Sequence, residues 1–278
     1  MNLTRQVLKD HALNARCFIY DLIPDSLLTM NSKFKDIHRG NRCFILGSGH
    51  SIVTQDLTKL AGEIVMTQNH FHVHGDIAAI HPTYHVLVPK YQPKEFDGDW
   101  NTWFDTMEEK LPSKTIFFLG SNTKYLIEGR PNMTSRSYYI KTGYWSHLMN
   151  KARIDITRSI MHVPTVITEC LTIAIYMGFS EIYLTGFDLD QVIRLVNRDN
   201  VRFYGNSPIT SNQSEKNYEK ELGASGMDWY NMWIIWHQLN LLKEEAERHN
   251  IKISNATNGG LLNMFERIDY NSLFKNPQ

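Results

Sequence analysis

An apolar run that ends in small residues, CFILGSGHSI over 43–52, is the segment of this chain best suited to chemistry. Glycines let the backbone come close to a phosphate, and the N–H groups of such a turn, backed by a helix amino terminus, carry fixed positive partial charge. Gly47, Ser48, Gly49 and Ser51 are therefore the expected phosphate cradle, with both serine hydroxyls as additional donors. No GK[ST] follows and the third glycine of GxGxxG is missing, so a plain strand-to-helix turn competes.

Three further segments carry polar groups where strands should stop, and in open α/β sheets ligands lie beyond those strand ends. In IVMTQNHFHVHGD, Asn69 is placed to read a base or ribose. On an extended backbone His70, His72 and His74 would share one face with Asp76 beyond them, a transition-metal arrangement without a zinc signature; no metal is expected there. PTVITECLTIAIYMGFSEIYLTGFDLD sets Thr165 and Thr168 at a helix start and Asp188 after a strand. The threonines serve as ligand donors or N-caps, and Asp188 as a base or ribose ligand or as a turn cap. In IKISNATNGGLLNMFERI, Asn255, Thr257, Asn258 and Gly260 form a candidate second half of the cradle, ahead of an apolar-periodic helix. Ordinary Asn-Gly-Gly turn chemistry competes there.

These groups need a frame. Strands are expected at Cys43–Leu46, Glu63–Gln68, Tyr84–Val88, Thr115–Leu119, Glu181–Thr185 and Lys252–Asn255, with helices over Val166–Met177 and Met227–Asn250. Alternating strands and long helices imply a Rossmann-like α/β fold, a mostly parallel sheet with helices on both faces. Residues 1–40, with Val7, Leu8, Leu13, Phe18 and Leu22 apolar and Pro24 breaking the pattern, form an N-terminal helical extension; 41–278 form one nucleotide-binding domain with insertions near 95–160 and 190–226. The second insertion is polar and aperiodic, the pattern of a lid, and carries Arg194, Arg202 and Tyr204 where they would close over an anion. Trp229, Trp233 and Trp236 recur at helical spacing and belong to a core or a subunit contact.

Composition narrows the partners. Lysine plus arginine equals aspartate plus glutamate, 29 against 29, so no global field attracts nucleic acid or an anionic bilayer. Cys17, Cys43 and Cys170 lack CxxC spacing and suit a reducing cytoplasm. Met1–Lys9 has no signal-peptide pattern and no apolar run is long enough to span a bilayer, which leaves at most peripheral contact with the inner membrane. A homo-oligomer stays open.

Taken in order, CFILGSGHSI, TVITECLTIAIYMGFSEIYLTGFD and IKISNATNGGLLNMFERIDYNSLF resemble a large bacterial family of surface-polysaccharide clusters, the pterin-diphosphokinase-like proteins related to flagellin-modifying motility accessory factors. The likeness is thin over 1–38 and 95–160. The same blocks are similar to bacterial sialyltransferases that use a CMP-sugar. That family's GNGPSL loop resembles Gly47–Ile52, its CNQF resembles Gln68-Asn69-His70-Phe71, and its EIYLSGIDF is close to Glu181–Leu189. It has tyrosine where Asp190 stands, asparagine-proline where Val88-Pro89 stands, and a catalytic histidine-tyrosine pair where Arg202-Phe203 is the best match. Arginine cannot act as a general base.

The resemblance implies a glycosyltransferase with a nucleotide-sugar donor, a glycan acceptor and no required cofactor, with Asp188 as base or ribose ligand and Arg202 opposite the phosphate. Two alternatives stand beside it. One is a diphosphokinase that needs Mg2+ on Asp76, Asp188 and Asp190; the other is a non-catalytic nucleotide-binding subunit.

Overall fold

A computed structural model describes residues 3–88, 97–145, 148–162, 165–197, 199–205 and 227–274. Strands β1 (Arg42–Leu46), β2 (Val65–Gln68), β3 (Tyr84–Leu87), β4 (Ile116–Gly120) and β5 (Ser137–Ile140) march in one direction across a sheet. β6 (Thr142–Trp145) and β7 (Ile160–His162) pair separately, and then β8 (Glu181–Thr185), β9 (Lys252–Asn255) and β10 (Glu266–Arg267) extend the large sheet from the other side of β1. The result is an eight-stranded sheet, β10-β9-β8-β1-β2-β3-β4-β5, parallel at every pairing. The direction of strand addition reverses between β8 and β1. That junction is where such a sheet opens a crevice at its carboxyl edge.

The strands are apolar at successive positions because both faces are covered. Cys43 and Ile45 enter one core with Met66, Val86, Phe118 and the helices α3 (Ile167–Tyr176) and α5 (Met227–Arg248). Phe44 and Leu46 enter the other, with Val65, Leu87, Phe117 and the helix α2 (Asp97–Lys110). Each such buried side chain contributes about 1.5–3 kcal/mol by leaving water.

Two expectations are corrected. The insertion expected near 95–160 begins not with a loop but with α2, whose Trp100, Trp103, Phe104 and Met107 are buried in the core beside the sheet. The helix expected after Asn255–Gly260 does not form. Gly259 and Gly260 take φ of +90° and +73°, turning the chain so that Leu262 and Phe265 dip into the core before β10.

The aromatic stripe of α5 divides: Trp229 and Trp233 are exposed, Trp236 packs half-buried against the core, and Ile234, Leu239, Leu242 and Ala246 carry the buried face. Of the expected lid, residues 191–197 are helix α4 (Gln191–Asn197), residues 199–205 fold back on the β1 loop, and 206–226 lie outside the described residues.

The first forty residues divide. The helix α1 (Leu3–Tyr20) packs on β6, with Gly143 leaving room for the Cys17 sulfur, whereas Leu28, Asn31 and Phe34 belong to the main core. Asp21 fastens the end of α1. Its carboxylate accepts from Tyr144 Oη at 2.9 Å, Arg153 Nη2 at 3.0 Å and the Ser159 hydroxyl at 2.8 Å. Asp21→Asn keeps the shape but loses the charge-assisted bond to Arg153, and is expected to cost about 1–2 kcal/mol. Protease nicking of α1 at native temperature, faster in the variant, is the readout; unchanged nicking would show that Asp21 does not hold α1.

Candidate functional site

At the β8–β1 junction the chain forms a cavity of about 200 Å³, walled by the carboxyl ends of β1, β2 and β8, the start of α3 and one side of α5. Seven of the residues singled out from sequence meet there: Ser48, Gly49, Asn69, Thr165, Asp188, Asp190 and Arg202. Seven do not reach its wall: Gly47, Ser51, Thr168, Asn255, Thr257, Asn258 and Gly260.

The reason is that the glycines serve the fold first. The Gly47 amide donates to Thr185 O at 2.8 Å, the Gly49 amide to Gly186 O at 2.9 Å, and the Ser51 amide to Asp188 Oδ2 at 3.0 Å. These three N–H groups are spent inside the protein, and of the expected cradle Ser48 and Gly49 line the cavity. A Cβ on Gly49 would lie 2.4 Å from Asp188 Oδ2, and one on Gly47 2.4 Å from Gly186 O. The close approach that requires glycine is therefore β1 against β8. The element behind this loop is a five-residue 3-10 turn, His50–Thr54, rather than the expected helix.

The Asn255–Gly260 loop forms the layer beneath. The Phe187 amide donates to Thr257 Oγ1 at 3.1 Å, the Leu261 amide to Asp188 O at 2.7 Å, and Asn255 Nδ2 to Leu262 O at 2.6 Å. It clamps the β8 end in place. Thr168 likewise turns inward, its hydroxyl bonded to Thr165 O at 2.9 Å.

What remains on the wall is chemically mixed. Arg202 sits in an antiparallel bridge with Gly49 and its Nη1 donates to Ser48 Oγ at 3.3 Å, which brings a guanidinium over the β1 loop. Asp188 is almost wholly buried, with Oδ2 held by Ser51 and Oδ1 without a hydrogen-bond partner. Asp190 accepts from Arg194 Nε at 2.8 Å, so Arg194 is committed to a carboxylate. The amides of Gln68, Asn69 and Gln191 and the apolar Val166, Phe187, Met232 and Ile235 complete the lining. The first turn of α3 opens on the same space, adding the positive end of a ten-residue helix.

Two lining residues without the freedom of glycine hold positive φ, Asn69 at +49° and Leu189 at +50°. Asparagine tolerates this region; for leucine it costs about 1–2 kcal/mol. Strained backbone of this kind concentrates at functional sites.

The histidines are placed differently from an extended segment. Residues 69–73 coil into a 3-10 turn, so alternate side chains diverge. His70 packs edge-on against Trp103, His72 turns to Asn69 O at 3.2 Å, and His74 stacks on Phe71. Burial is the main cause that holds His70 down at about 3 and His72 at about 4, so both are neutral at ordinary pH. Among the described residues no three His, Cys, Asp or Glu side chains are grouped to hold a metal ion. Asp76 lies outside the cavity wall and faces His74, apart from Asp188 and Asp190. Sequence inspection missed Gln68, Gln191, Met232 and Ile235; the last two were legible only as part of a helix pattern.

No protein-family model matches the chain, and neither does any curated protein. Among solved structures it is similar to the MAf glycosyltransferase from Magnetospirillum magneticum AMB-1, at 15% identity and a TM-score of 0.51 over 88% of this chain. The chain spans 38% of the length of that protein. It also matches the sialyltransferase CstII from Campylobacter jejuni in complex with cytidine-5'-monophosphate, at 14% identity and a TM-score of 0.46, covering 84% of this chain and 86% of that one. A further match is sialyltransferase CST-II in complex with trisaccharide acceptor and CMP, at 16% identity and a TM-score of 0.46, covering 86% and 89%. At these identities the likeness to the MAf protein establishes a shared Rossmann-like α/β fold.

Proposed function

We propose that the chain is a glycosyltransferase that moves a sialic-like (nonulosonic) or related sugar from a CMP-type nucleotide donor to a bacterial surface glycan. The observation that carries the proposal is the convergence of Ser48, Asn69, Thr165, Asp188 and Arg202 on one cavity at the strand-order reversal. Arg202, the Ser48 hydroxyl and the α3 amino terminus suit the donor phosphate, and Asn69 with Gln68 suits the nucleoside. In the transfer, an acceptor hydroxyl attacks the anomeric carbon and the bond to the phosphate oxygen breaks. The hydroxyl proton passes to Asp188, and Arg202 offsets the charge left on the departing CMP. No resident cofactor enters this scheme.

Calorimetric titration with CMP is the test, because it needs no acceptor. Binding at micromolar to low millimolar concentration is expected, roughly tenfold weaker in Arg202→Gln, a loss of about 1.4 kcal/mol. Absence of binding at millimolar CMP would end the proposal. Asp188→Asn separates chemistry from folding, since its amide oxygen still accepts from Ser51. Donor turnover is expected to fall roughly a hundredfold or more with the thermal midpoint held. Equal turnover in both proteins would remove Asp188 as base.

A non-catalytic nucleotide-binding role is the second reading. It is favoured by one observation: the described lining holds neither histidine nor tyrosine. Wild-type hydrolysis of the donor above background would exclude it.

A further inference from the structure

The end of α1 and the turn after it expose a run of large apolar side chains unlike any other described stretch. Phe18 is 60% exposed, Ile19 63%, Leu22 66% and Ile23 76%, within six residues of chain. Scattered apolar residues on a surface are ordinary, but a contiguous cluster on a projecting turn marks a contact site. The turn is held rigid from behind. Asp21 is tied to Tyr144, Arg153 and Ser159, and Arg158 Nη1 donates to Asp21 O at 2.7 Å, so the apolar side chains are presented outward by a fixed backbone.

Cations surround this cluster. Lys141 and Arg158 line a notch of about 140 Å³ together with Tyr20 and Ile23, and Arg16 lies over the Tyr20 ring, 5.3 Å from its centroid. Two carboxylates share the notch, Asp21, which is paired with Arg153, and Asp25, which caps the next turn by accepting from the Leu27 amide at 3.0 Å; with Arg16, Lys141, Arg153 and Arg158 the cations outnumber them. Apolar side chains that project beyond a collar of lysine and arginine match the layering of an anionic bilayer, with acyl chains inside and phosphates at the rim.

We infer that this turn is a membrane-contact site, in which Phe18, Ile19, Leu22 and Ile23 enter the headgroup boundary of an anionic bilayer while Lys141 and Arg158 hold lipid phosphate. A second copy of the chain is the poorer occupant. A two-fold contact sets the same patch against itself, so the collar of cations would face its own charge. The contact is peripheral, as no described helix is long and apolar enough to cross a membrane. It is independent of what the cavity binds.

Co-sedimentation of the full chain with vesicles of phosphatidylcholine, alone or with about one third phosphatidylglycerol, tests the inference. Binding to the anionic vesicles is expected to exceed binding to the neutral ones. It should weaken roughly tenfold or more both in Phe18→Ser/Ile23→Ser and in Lys141→Gln/Arg158→Gln. An Ile23→Cys variant carrying an environment-sensitive fluorophore gives a second readout, a blue shift on anionic vesicles, that does not depend on the double variants folding. No binding overturns the inference. So does binding indifferent to the apolar substitutions, which is surface attraction alone. A dimer abolished by Phe18→Ser/Ile23→Ser without vesicle binding assigns the patch to a second copy instead.

Discussion

Gly186→Ala is expected to cost about 2–5 kcal/mol, the sum of a left-handed backbone penalty of about 1–2 and overpacking of about 1–3. Gly186 holds φ +73°, and a Cβ there would lie 2.7 Å from Gly47 O and 2.9 Å from Ile52 Cδ1. The opposing Gly47 has the mirror problem, 2.4 Å from Gly186 O. Backbone faces backbone on both sides, and neither can yield without parting β1 from β8, which are in register from Arg42↔Glu181 to Leu46↔Thr185. Gly62 is the internal control. Its φ is +85°, yet nothing lies within 4 Å of an added Cβ, so Gly62→Ala should show the backbone penalty alone, about 1–2 kcal/mol. Urea denaturation of the two variants measures the difference. Equal midpoints would mean that the β1–β8 junction is soft, and the cavity floor with it.

This clasp also explains what could and could not be read from the residues. The strands at 42–46, 65–68, 84–87, 116–120 and 181–185 stood out because parallel strands covered on both faces are largely apolar runs, and 252–255 stood out by its place between a long helix and an Asn-Gly-rich turn. β10 is a two-residue edge element, Glu266-Arg267, without apolar content, and β5 is a four-residue edge strand at the other side of the sheet; neither gave such a signal. The stripe Trp100, Trp103, Phe104 and Met107 did have helical spacing, but Asp97-Gly98-Asp99 before it reads as turn. At the site, sequence located the strand ends correctly and could not decide what their glycines approach. A glycine that admits a phosphate and one that admits a neighbouring strand look the same until register is known. Register with β8 assigns Gly47 and Gly186 to each other, and the groups that face the cavity are side chains, among them Ser48, Asn69 and Arg202.

Asp188 follows from the same packing. Its backbone is pinned by Gly260, whose Cβ would lie 2.6 Å from Asp188 Cα, and by the Leu261 amide, while Oδ2 holds the β1 loop through Ser51. A residue held at its backbone and at one carboxylate oxygen loses little freedom on meeting a substrate, which suits the base proposed for it. Oδ2 is held by the loop, and on the proposed reading Oδ1 is the oxygen left to take the acceptor proton.

Acid should unfold this protein early, from about pH 6.5 downward, before its carboxylates protonate. His70, His72 and His85 are buried behind the site, with ring centroids 5.8 Å apart for the first pair and 6.0 Å for the second. Each has a ring nitrogen, Nδ1 of His70 and Nε2 of the other two, without a hydrogen-bond partner. Burial is the leading cause that lowers all three, to about 3 for His70, about 4 for His72 and well below 6.5 for His85. The unfolded chain therefore binds protons that the folded one refuses. Stability is full above pH 6.5 and falls as pH drops toward the folded values, by about 1.4 kcal/mol per unit for each histidine. At about pH 5 His70 and His72 have each removed about 2 kcal/mol, about 4 together, and His85 acts in the same direction, a large fraction of the stability of a modest domain. Chemical denaturation at a series of pH values is the measurement. His70→Phe, an aromatic replacement beside Trp103 and Tyr204, should reduce the slope between about pH 6 and 5 by one histidine's share. A flat stability profile in that window would show that the three imidazoles accept protons in the folded protein and that water reaches them, in which case the wall behind Asn69 is not the dry partition its packing describes.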